Sequence, residues 1–360
     1  MNKVLAAAPQ PSPLPAAHAP GPPAGEGIAA MTSAATTVSA LVQAAQAVDT
    51  AIVQMHRAGT PVDQLAAWVS RCNAGLFARL WTLLAPPALI ERSCLLVMGS
   101  EGRGEQILKT DQDNALLLQD GFECPELAEV ADRFSAALAQ LGYPPCPGRI
   151  MVDNPLWRQP ISGFRESLRQ WFFGGDPEGP MKLAIFFDAA AVAGDRRLLL
   201  AAQDHLDLIF AGQDTYLARF ARAADQFREP GSWWARLTGR QDQLVFDLKK
   251  LGTFPIVHGV RALAWQYGIR EQSTAARLHR LVEAGRMARE PALGLVKSLH
   301  TLMALRLAHQ LRRLAEGARP DNEVRPIELP ADERRALHEA LAEVARFRLF
   351  LRQHFRLDTL

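Results

Sequence analysis

Residues 95–118 read LLVMGSEGRGEQILKTDQDNALLL, and they decide the fold predicted for the chain. The apolar run at 95–98 predicts a buried strand, and the Gly-Ser pair after it predicts a turn into a short helix. Asp111 and Asp113 then open a second apolar run at 115–118, which predicts a second strand. The stretch thus places small residues after one strand and two carboxylates before its neighbour.

The two carboxylates are spaced to bind one cation. Residues i and i+2 of an extended segment point to the same side, so Asp111 and Asp113 converge. Two like charges held together repel one another unless a cation lies between them. Mg²⁺ commonly binds through one or two carboxylates and phosphate oxygens, and it assists phosphoryl transfer. We therefore predict that both aspartates are catalytic and bind Mg²⁺ or Mn²⁺.

The loop between the two strands carries groups suited to phosphate. Glycine lets the backbone approach a phosphate closely, and a serine hydroxyl adds a donor. The glycine spacing matches neither the GxGxxG pattern nor the GxxxxGK[ST] loop. The predicted nucleotide-binding residues are Gly99, Ser100, Gly102, Arg103, Glu105, Lys109 and Asn114. Glu105 is expected to orient Arg103 or Lys109 and not to bind metal.

Composition indicates a globular protein with more than one domain. The 360 residues exceed a typical single domain, and 48% hydrophobic residues allow a sizeable core. The 40 basic and 38 acidic residues nearly cancel, which gives no electrostatic case for nucleic acid or a membrane as partner. No apolar run suits a spanning helix or a signal peptide, so a cytoplasmic location is expected. The expected reduced cysteines are Cys72, Cys94, Cys124 and Cys146.

The pattern along the chain predicts four parts. Residues 1–35 are mostly Ala, Pro and Gly, so they are expected to form a disordered tail that buries too little apolar surface to order. Apolar residues at three- and four-residue steps predict helices in 36–90, which pack on the catalytic part or on a partner. Residues 91–200 are expected to form the catalytic domain and 201–360 a helix bundle.

Two later segments add candidate site residues. GRIMVD at 148–153 predicts a short third strand that ends at Asp153, and 157–210 has helical periodicity throughout. DLKKLGTFPIVHGVR at 247–261 fits either a solvated helix break or a segment that faces phosphate or substrate. Its candidate substrate contacts are Lys249, Lys250, Thr253, His258 and Arg261.

These motifs resemble the nucleotidyltransferase superfamily, in which Gly-Ser is followed by DxD on the next strand. GSEGRGEQ at 99–106 and TDQDNA at 110–115 are similar to a bacterial nucleotidyltransferase family that is often fused to cyclic-nucleotide-binding and CBS domains. That family is related to the PII-protein uridylyltransferases and the glutamine synthetase adenylyltransferases. Later resemblances are MVDNPLW at 151–157, IFFD at 185–188, GD at 194–195, GTFPIVHGVRALA at 252–264 and DN at 321–322.

The resemblance implies an α+β fold, with a small polymerase-beta-like nucleotidyltransferase mixed sheet and helices, followed by a C-terminal substrate-binding helix bundle. It implies a third catalytic carboxylate, for which Asp153 and Asp188 are both candidates, with Asp153 preferred as the metal ligand. It also implies an NTP as donor substrate and a protein acceptor. Relatives tend to carry arginine where this chain has Ala190. With no room here for a sensor domain, a regulatory protein is expected at the N-terminal helices.

Two functions of different classes fit these observations. In the first, an acceptor hydroxyl attacks the α-phosphate of a metal-bound NTP and pyrophosphate leaves. The acceptor is then expected on a signalling or metabolic protein, as for the PII uridylyltransferases, although a small-molecule acceptor would use the same active site. In the second, the chain is a catalytically weak or inactive regulatory module that binds a nucleotide or a partner. Retention of Gly-Ser and of both aspartates favours the first.

Overall fold

The computed structural model describes residues 24–225 and 244–359. Its architecture is α+β: helices surround a four-stranded mixed sheet, and a two-stranded sheet lies in the C-terminal part. The buried apolar side chains form one continuous core. Throughout the described ranges, no helix is both long and apolar enough to cross a membrane.

The N-terminal part of the described chain is helical. Its helices are α1 (Ala24–Ala34), α2 (Val38–Arg57), α3 (Val62–Leu84) and α4 (Pro87–Glu91). Helix α1 packs against α2 and α3 and buries Ile28 and Thr32. The expected disordered tail is therefore wrong for 24–34, because alanine favours a helix and Ile28 anchors it in the core. Residues 1–23 of that tail lie outside the described residues.

The central sheet has the strand order β3-β2-β1-β4. Its strands are β1 (Ser93–Val97), β2 (Asn114–Leu118), β3 (Arg158–Pro160) and β4 (Ala190–Gly194). Strand β1 pairs antiparallel with both β2 and β4, whereas β2 and β3 are parallel. Every residue of β1 and β2 is buried, which explains why each is a continuous apolar run in the sequence.

Strands β1 and β2 confirm the two predicted strands, but the rest of the sheet differs from the prediction. The predicted strand at 148–153 is a turn, in which Arg149 has a positive φ of 52°. The Asn154 side chain holds this turn by donating to the Arg149 carbonyl oxygen at 2.8 Å. Strand β4 lies inside the segment predicted to be helical, because its small residues have weak strand propensity and pairing with β1 determines their conformation.

Further helices pack around the sheet. They are α5 (Gly99–Gly102), α6 (Leu127–Gln140), α7 (Ile161–Phe173), α8 (Gly179–Phe187), α9 (Arg196–Phe210) and α10 (Asp214–Ala221). Helix α3 contacts β4 and α6, and Trp81 of α3 meets Phe134 of α6 edge-on with 5.3 Å between ring centroids. Helices α7 and α9 contact the strands. The N-terminal helices thus share one core with the sheet.

The C-terminal part contains two short strands and four long helices within 244–359. Its strands are β5 (Phe246–Asp247) and β6 (Glu323–Val324), which pair antiparallel. Its helices are α11 (Phe254–Gln266), α12 (Thr274–Glu283), α13 (Arg289–Ala315) and α14 (Ala331–His354). A π-helical turn at Lys249–Thr253 leads directly into α11. Residues 226–243 of the predicted bundle lie outside the described residues.

Two glycines allow close contacts between these helices. A Cβ on Gly252 in the π turn would lie 2.8 Å from Leu302 Cδ1 of α13. A Cβ on Gly259 in α11 would lie 2.6 Å from Phe347 Cε1 of α14 and would also overlap a neighbouring leucine. Helices α13 and α14 therefore approach the α11 segment at positions where any side chain would force them apart.

Gly259→Ala is expected to lower the free energy of unfolding by about 1–3 kcal/mol, because the added methyl group overpacks the contact between α11 and α14. Gly75→Ala is the matched control within α3, where the nearest atom to a new Cβ is Thr32 Cγ2 at 3.9 Å. The control is expected to gain stability, since alanine is favoured over glycine in a helix by about 1 kcal/mol. Urea unfolding measures the free energy of unfolding of both variants. An equal gain in stability for the two would contradict the close contact at Gly259.

Candidate functional site

The Gly-Ser turn and the Asp pair meet at the start of β2. The Asp113 carbonyl oxygen accepts a hydrogen bond from the Met98 amide at 2.9 Å, which continues the β1–β2 ladder to the turn. Gly99 has a positive φ of 59°, and a Cβ built there would lie only 2.7 Å from Asp113 Oδ2. Glycine is therefore required at this position by its backbone conformation and by the carboxylate that lies over it.

Asp111 and Asp113 interact as a pair of carboxylates. Burial and then the charge of Asp111 raise the pKa of Asp113 to about 6. The Cys146 thiol donates a hydrogen bond to Asp113 and opposes this rise, as do the positive charges of Lys249 and Arg103. Both aspartates line the same narrow pocket. A cation would relieve the repulsion between their ionised forms.

The two aspartates fit a Mg²⁺ ion that shares its ligands with a substrate. They offer two protein carboxylates, and Mg²⁺ commonly uses one or two together with phosphate oxygens. Within 24–225 and 244–359, no cluster of three or more His, Cys, Asp or Glu side chains is arranged to hold a metal ion. Two carboxylates do not complete the coordination of Mg²⁺, so an ion held by this pair would take its other ligands from phosphate oxygens or water.

Asp188, one candidate for the third carboxylate, binds three arginines. It is fully buried at the end of α8, where Arg103 Nη1 and Arg261 Nη2 lie 2.6 and 2.5 Å from its Oδ2. Arg277 Nη1 lies 2.8 Å from its Oδ1. Burial disfavours the carboxylate, but the arginines outweigh it and hold the pKa of Asp188 well below its ordinary value. Both oxygens are taken by arginines in this structure, and the predicted catalytic role of Asp188 stays a prediction.

The same ion-pair network joins the loop after β1 to the C-terminal helices. Arg103 Nε lies 2.7 Å from Glu105 Oε2, so Glu105 orients Arg103 and not Lys109. Glu105 Oε1 also accepts a hydrogen bond at 2.6 Å from the backbone amide of Thr274, the first residue of α12. Arg103 and Glu105 are thus engaged in internal contacts in this structure, and their predicted part in nucleotide binding stays a prediction.

Asp153, the other candidate, lies in the turn that is attached to the start of β2. The Asn114 amide donates to the Ile150 carbonyl oxygen at 3.0 Å, and Asn114 Oδ1 accepts from the Val152 amide at 2.8 Å. Asn114 therefore holds the turn in this structure, and its predicted contact with nucleotide stays a prediction. Asp153 Oδ1 is buried without a hydrogen-bond partner among the described residues, so this carboxylate keeps a free acceptor.

The remaining predicted nucleotide contacts have different surroundings. Ser100 Oγ donates to Gln106 Oε1 at 2.8 Å, so its hydroxyl is held beside the Asp pair by the loop itself. Lys109 Nζ lies 2.5 Å from Asp49 Oδ2 of α2. Gly102 is buried against the end of α8, where a Cβ would overlap a backbone carbonyl oxygen. Lys109 and Gly102 therefore contribute to contacts between elements, and their predicted roles in nucleotide binding stay predictions.

The two lysines of the basic segment are exposed and have different partners. Lys250 Nζ lies 3.3 Å from Asp247 Oδ2, within its own turn. The charge of Lys249 acts on Asp113 and opposes the rise of its pKa. Lys249 is thus one of the positive charges that favour the ionised form of Asp113, although the two lie more than 130 residues apart in the sequence.

The other three predicted substrate contacts are buried. Thr253 donates to the carbonyl oxygen at the start of the π turn, and Arg261 binds the Asp188 carboxylate. His258 Nδ1 accepts from Arg261, so its Nε2 carries the proton and donates to the Phe220 carbonyl oxygen at 2.7 Å. Burial and the Arg261 charge lower the pKa of His258 to about 3. These three side chains therefore make internal contacts in this structure, and their predicted contacts with substrate stay a prediction.

Sequence reasoning misses two residues of this region, Glu101 and Arg277. Glu101 lines the pocket of the Asp pair, accepts a hydrogen bond from Asn73 Nδ2 at 3.1 Å, and has its pKa raised by burial to about 8. Its position between two glycines of GSEGRGEQ is a signal that it has a buried role. Arg277 offers no such signal, because an arginine on an amphipathic helix is ordinarily exposed.

Comparison with protein families gives two matches. Residues 46–178 match the family described as "Putative nucleotidyltransferase DUF294". Residues 214–355 match the family described as "Putative nucleotidyltransferase substrate binding domain". The Gly-Ser turn and the Asp pair lie in the first segment, and the π turn with helices α11 to α14 lies in the second. A search of curated proteins finds no match.

Asp188→Asn is expected to lower the free energy of unfolding by about 3–5 kcal/mol, because three arginines lose their shared buried carboxylate. The loss should shrink progressively below about pH 4, since a carboxylate with a lowered folded pKa contributes stability above its unfolded pKa and loses it as the pH falls. Urea unfolding at pH 7 and pH 3 measures both effects.

Asp195→Asn is the control for that measurement. Asp195 caps α9 and pairs with the exposed Arg197, and asparagine is an equally good cap. An exposed pair contributes at most about 1 kcal/mol, so this variant should remain close to the wild type. Equal losses for Asp188→Asn and Asp195→Asn would contradict the importance of the buried network.

Glu101→Gln is expected to flatten the pH dependence of stability between about pH 5 and 8. The folded protein holds a proton on Glu101 up to a pKa of about 8, against an ordinary value of 4.5, so wild-type stability falls as the pH rises through this window. Glutamine keeps the acceptor for Asn73 and cannot ionise. The difference in free energy of unfolding between the two proteins should grow in favour of the variant from pH 5 to pH 8, and a constant difference would refute the shift.

Proposed function

We propose that this chain, whose two segments match nucleotidyltransferase families, is a metal-dependent enzyme that transfers NMP from an NTP to an acceptor hydroxyl. One observation carries the proposal. The Asp113 carboxylate lies directly over Gly99, so the turn that can approach a phosphate and the carboxylates that can bind Mg²⁺ meet at one point. Neither feature alone would specify phosphoryl transfer.

Different residues of the site would bind the metal ion and the phosphates. Asp111 and Asp113 would hold Mg²⁺ or Mn²⁺, which when bound neutralises phosphate charge and the developing charge on pyrophosphate. Gly99 gives the phosphates access to the backbone, and the Ser100 hydroxyl, oriented by Gln106, adds a polar contact. Asp153 is the preferred candidate for a third carboxylate, because its Oδ1 is buried and has no hydrogen-bond partner within the described ranges.

The transfer itself makes one bond and breaks one. The acceptor oxygen bonds to the α-phosphorus, the bond from that phosphorus to its bridging oxygen breaks, and pyrophosphate leaves with the electron pair. The hydroxyl proton passes to a carboxylate base, for which Asp153 is the candidate. We place the acceptor on a signalling or metabolic protein, as in PII uridylyltransferase-like enzymes. The C-terminal segment, described as a substrate binding domain, would present it.

The fold supports this division of the chain. We assign a polymerase-beta-like nucleotidyltransferase sheet and catalysis to 91–200, with the carboxylates at the edge where β2 begins. We assign substrate binding to the helices of 201–360. The helices of 36–90 reach the site through Asn73, which binds Glu101.

A regulatory binding module is the second candidate, and one observation favours it. Arg103, expected to neutralise phosphates, is held by Asp188 and Glu105 instead. A site with that arginine engaged elsewhere would bind a nucleotide without accelerating transfer. Calorimetry that shows NTP binding, with no transfer to any acceptor, would favour this function.

Asp111→Asn and Asp113→Asn are each expected to reduce NMP transfer by at least about 100-fold, because each removes a charged ligand of the ion. The assay incubates the purified protein with each NTP labelled at the α-phosphate, Mg²⁺ or Mn²⁺, and a lysate of the source cell. Mass spectrometry then locates the label on its acceptor.

Asp132→Asn is the control, since Asp132 is an exposed carboxylate on α6, away from the pocket-lining residues. This variant should transfer label as the wild type does. Full transfer by both site variants would reject the assignment of the Asp pair, and transfer lost in all three variants would show a non-specific effect.

A further inference from the structure

Gln106 closes the loop that follows β1. The Glu105 amide donates to the Ser100 carbonyl oxygen at 2.9 Å, so the chain turns back directly after the short helix α5. The Ser100 hydroxyl donates to Gln106 Oε1 at 2.8 Å, and the Thr110 hydroxyl donates to the same oxygen at 3.1 Å. One side-chain amide oxygen therefore joins the Gly-Ser turn to the residue that precedes Asp111.

The other end of the same amide is an NH₂ group without a partner. The two hydroxyls use both lone pairs of the Gln106 oxygen, so only Nε2 remains to bind another group. Across 24–225 and 244–359, Gln106 Nε2 donates no hydrogen bond. The Gln106 side chain belongs to a residue that is only 6% exposed, so this donor has little access to solvent. A donor in such surroundings is costly to leave unpaired, and a ligand that supplies an acceptor removes the cost.

The pocket that Gln106 lines is the pocket of the Asp pair. Asp111 and Asp113 line it, and so does Glu101. An amide oxygen that faced these acidic groups would be repelled by carboxylate charge, whereas an NH₂ group is attracted. The two hydroxyls of the loop and the acidic groups of the pocket therefore favour the same orientation, with Oε1 toward the loop and Nε2 toward the pocket.

Gln112, the second glutamine that lines this pocket, differs in one respect. Its Nε2 donates to the carbonyl oxygens of Ser135 and Tyr143 at 3.0 and 2.8 Å. Its backbone amide donates to the Pro144 carbonyl oxygen at 2.9 Å, which anchors the segment between the two aspartates. Both glutamines are thus fixed by their neighbours, but in the part of the chain that the structure describes only Gln106 keeps an unused NH₂ group.

We propose that Gln106 Nε2 binds a phosphate oxygen of the donor nucleotide, in the pocket of the Asp pair. The assignment rests on the proposed transferase function and adds a neutral donor to its phosphate contacts. Phosphate oxygens are strong acceptors because they are charged. The ion held by Asp111 and Asp113 would act on the phosphates by its charge, and Gln106 would act on them by a directed hydrogen bond.

The hydrogen bonds of the loop hold this donor in place before a nucleotide binds. Because Ser100 and Thr110 both bind Gln106 Oε1, the NH₂ group cannot turn away without breaking two hydrogen bonds. A side chain that is already held in its bound conformation loses little conformational freedom on binding. The contact would therefore add affinity for phosphate at a low entropic cost.

The test measures the binding of inorganic tripolyphosphate, with Mg²⁺ present, to the full chain by calorimetry. Gln106→Leu is expected to weaken this binding by about 10- to 100-fold, the usual effect of removing a hydrogen bond to a charged group. Gln159→Leu is the matched control, because Gln159 also bridges two groups, the Leu156 carbonyl oxygen and Ser167 Oγ, but does not line the pocket. The control should bind tripolyphosphate as the wild type does.

A second comparison separates the NH₂ group from the bridge that the amide oxygen makes. Thr110→Val removes one of the two hydroxyls and leaves Nε2 in place, so its affinity for tripolyphosphate should stay within about threefold of the wild type. Equal losses of affinity in Thr110→Val and Gln106→Leu would show that the bridge alone matters, and would overturn the phosphate contact.

Gln106→Glu keeps the proposal testable even where Gln106→Leu fails to fold. Glutamate retains an oxygen for Ser100 and Thr110 but replaces the NH₂ group by an oxygen that cannot donate when ionised. This variant should weaken tripolyphosphate binding. Wild-type affinity in Gln106→Glu, or no binding of tripolyphosphate by the wild type, would overturn the contact.

Mn²⁺ in the absence of phosphate shows which atom of the amide acts. An NH₂ group cannot bind a cation, so Gln106→Leu should bind Mn²⁺ alone as tightly as the wild type does. A loss of Mn²⁺ affinity in Gln106→Leu as large as its loss of tripolyphosphate affinity would mean that the amide oxygen binds the ion, and would reject the phosphate contact.

Binding is measured without turnover, so the phosphate contact and the transferase function fail separately. Weaker tripolyphosphate binding by Gln106→Leu, together with no NMP transfer by the wild type, would keep the contact and reject the transferase. NMP transfer by the wild type, together with unchanged binding by Gln106→Leu, would reject the contact and keep the transferase.

Discussion

The buried carboxylate of Asp188 constrains the whole described structure. A charge with no exposure to solvent is tolerated only when paired, and here three guanidinium groups from separate elements must converge on it. Arg103 brings the loop after β1, Arg261 brings α11, and Arg277 brings α12. An ionic contact therefore fixes the position of the Gly-Ser turn relative to the C-terminal helices. Arg103, the cation near this turn, stabilises the fold through that contact.

The elements closest to the Asp pair could be predicted, because short stretches of local sequence specify them. Strands β1 and β2 are buried on both faces, so each appears as an apolar run in the sequence. Strand β4 could not be predicted, since its Ala-rich sequence takes its conformation from pairing with β1. The turn at 148–153 could not be predicted for a similar reason, because a hydrogen bond to Asn114, in a different segment of the chain, holds its conformation.

The outer residues of the site could be predicted much less well. The sequence GTFPIVHGVRALA places polar residues on an apolar helix. This pattern fits residues that face substrate as well as residues of a buried polar network, and only the tertiary contacts distinguish the two. His258 and Arg261 belong to the network, whereas Lys249, at the π turn, remains exposed.

The position of Asp188 also shows how the two matched segments depend on each other. It lies outside both segments that match families, 46–178 and 214–355, in the stretch that joins them. Either segment alone would leave Asp188 with fewer than its three arginines, because Arg103 lies in the first segment and Arg261 and Arg277 in the second. Each segment therefore depends on the other, and on the stretch between them, to neutralise its buried charges.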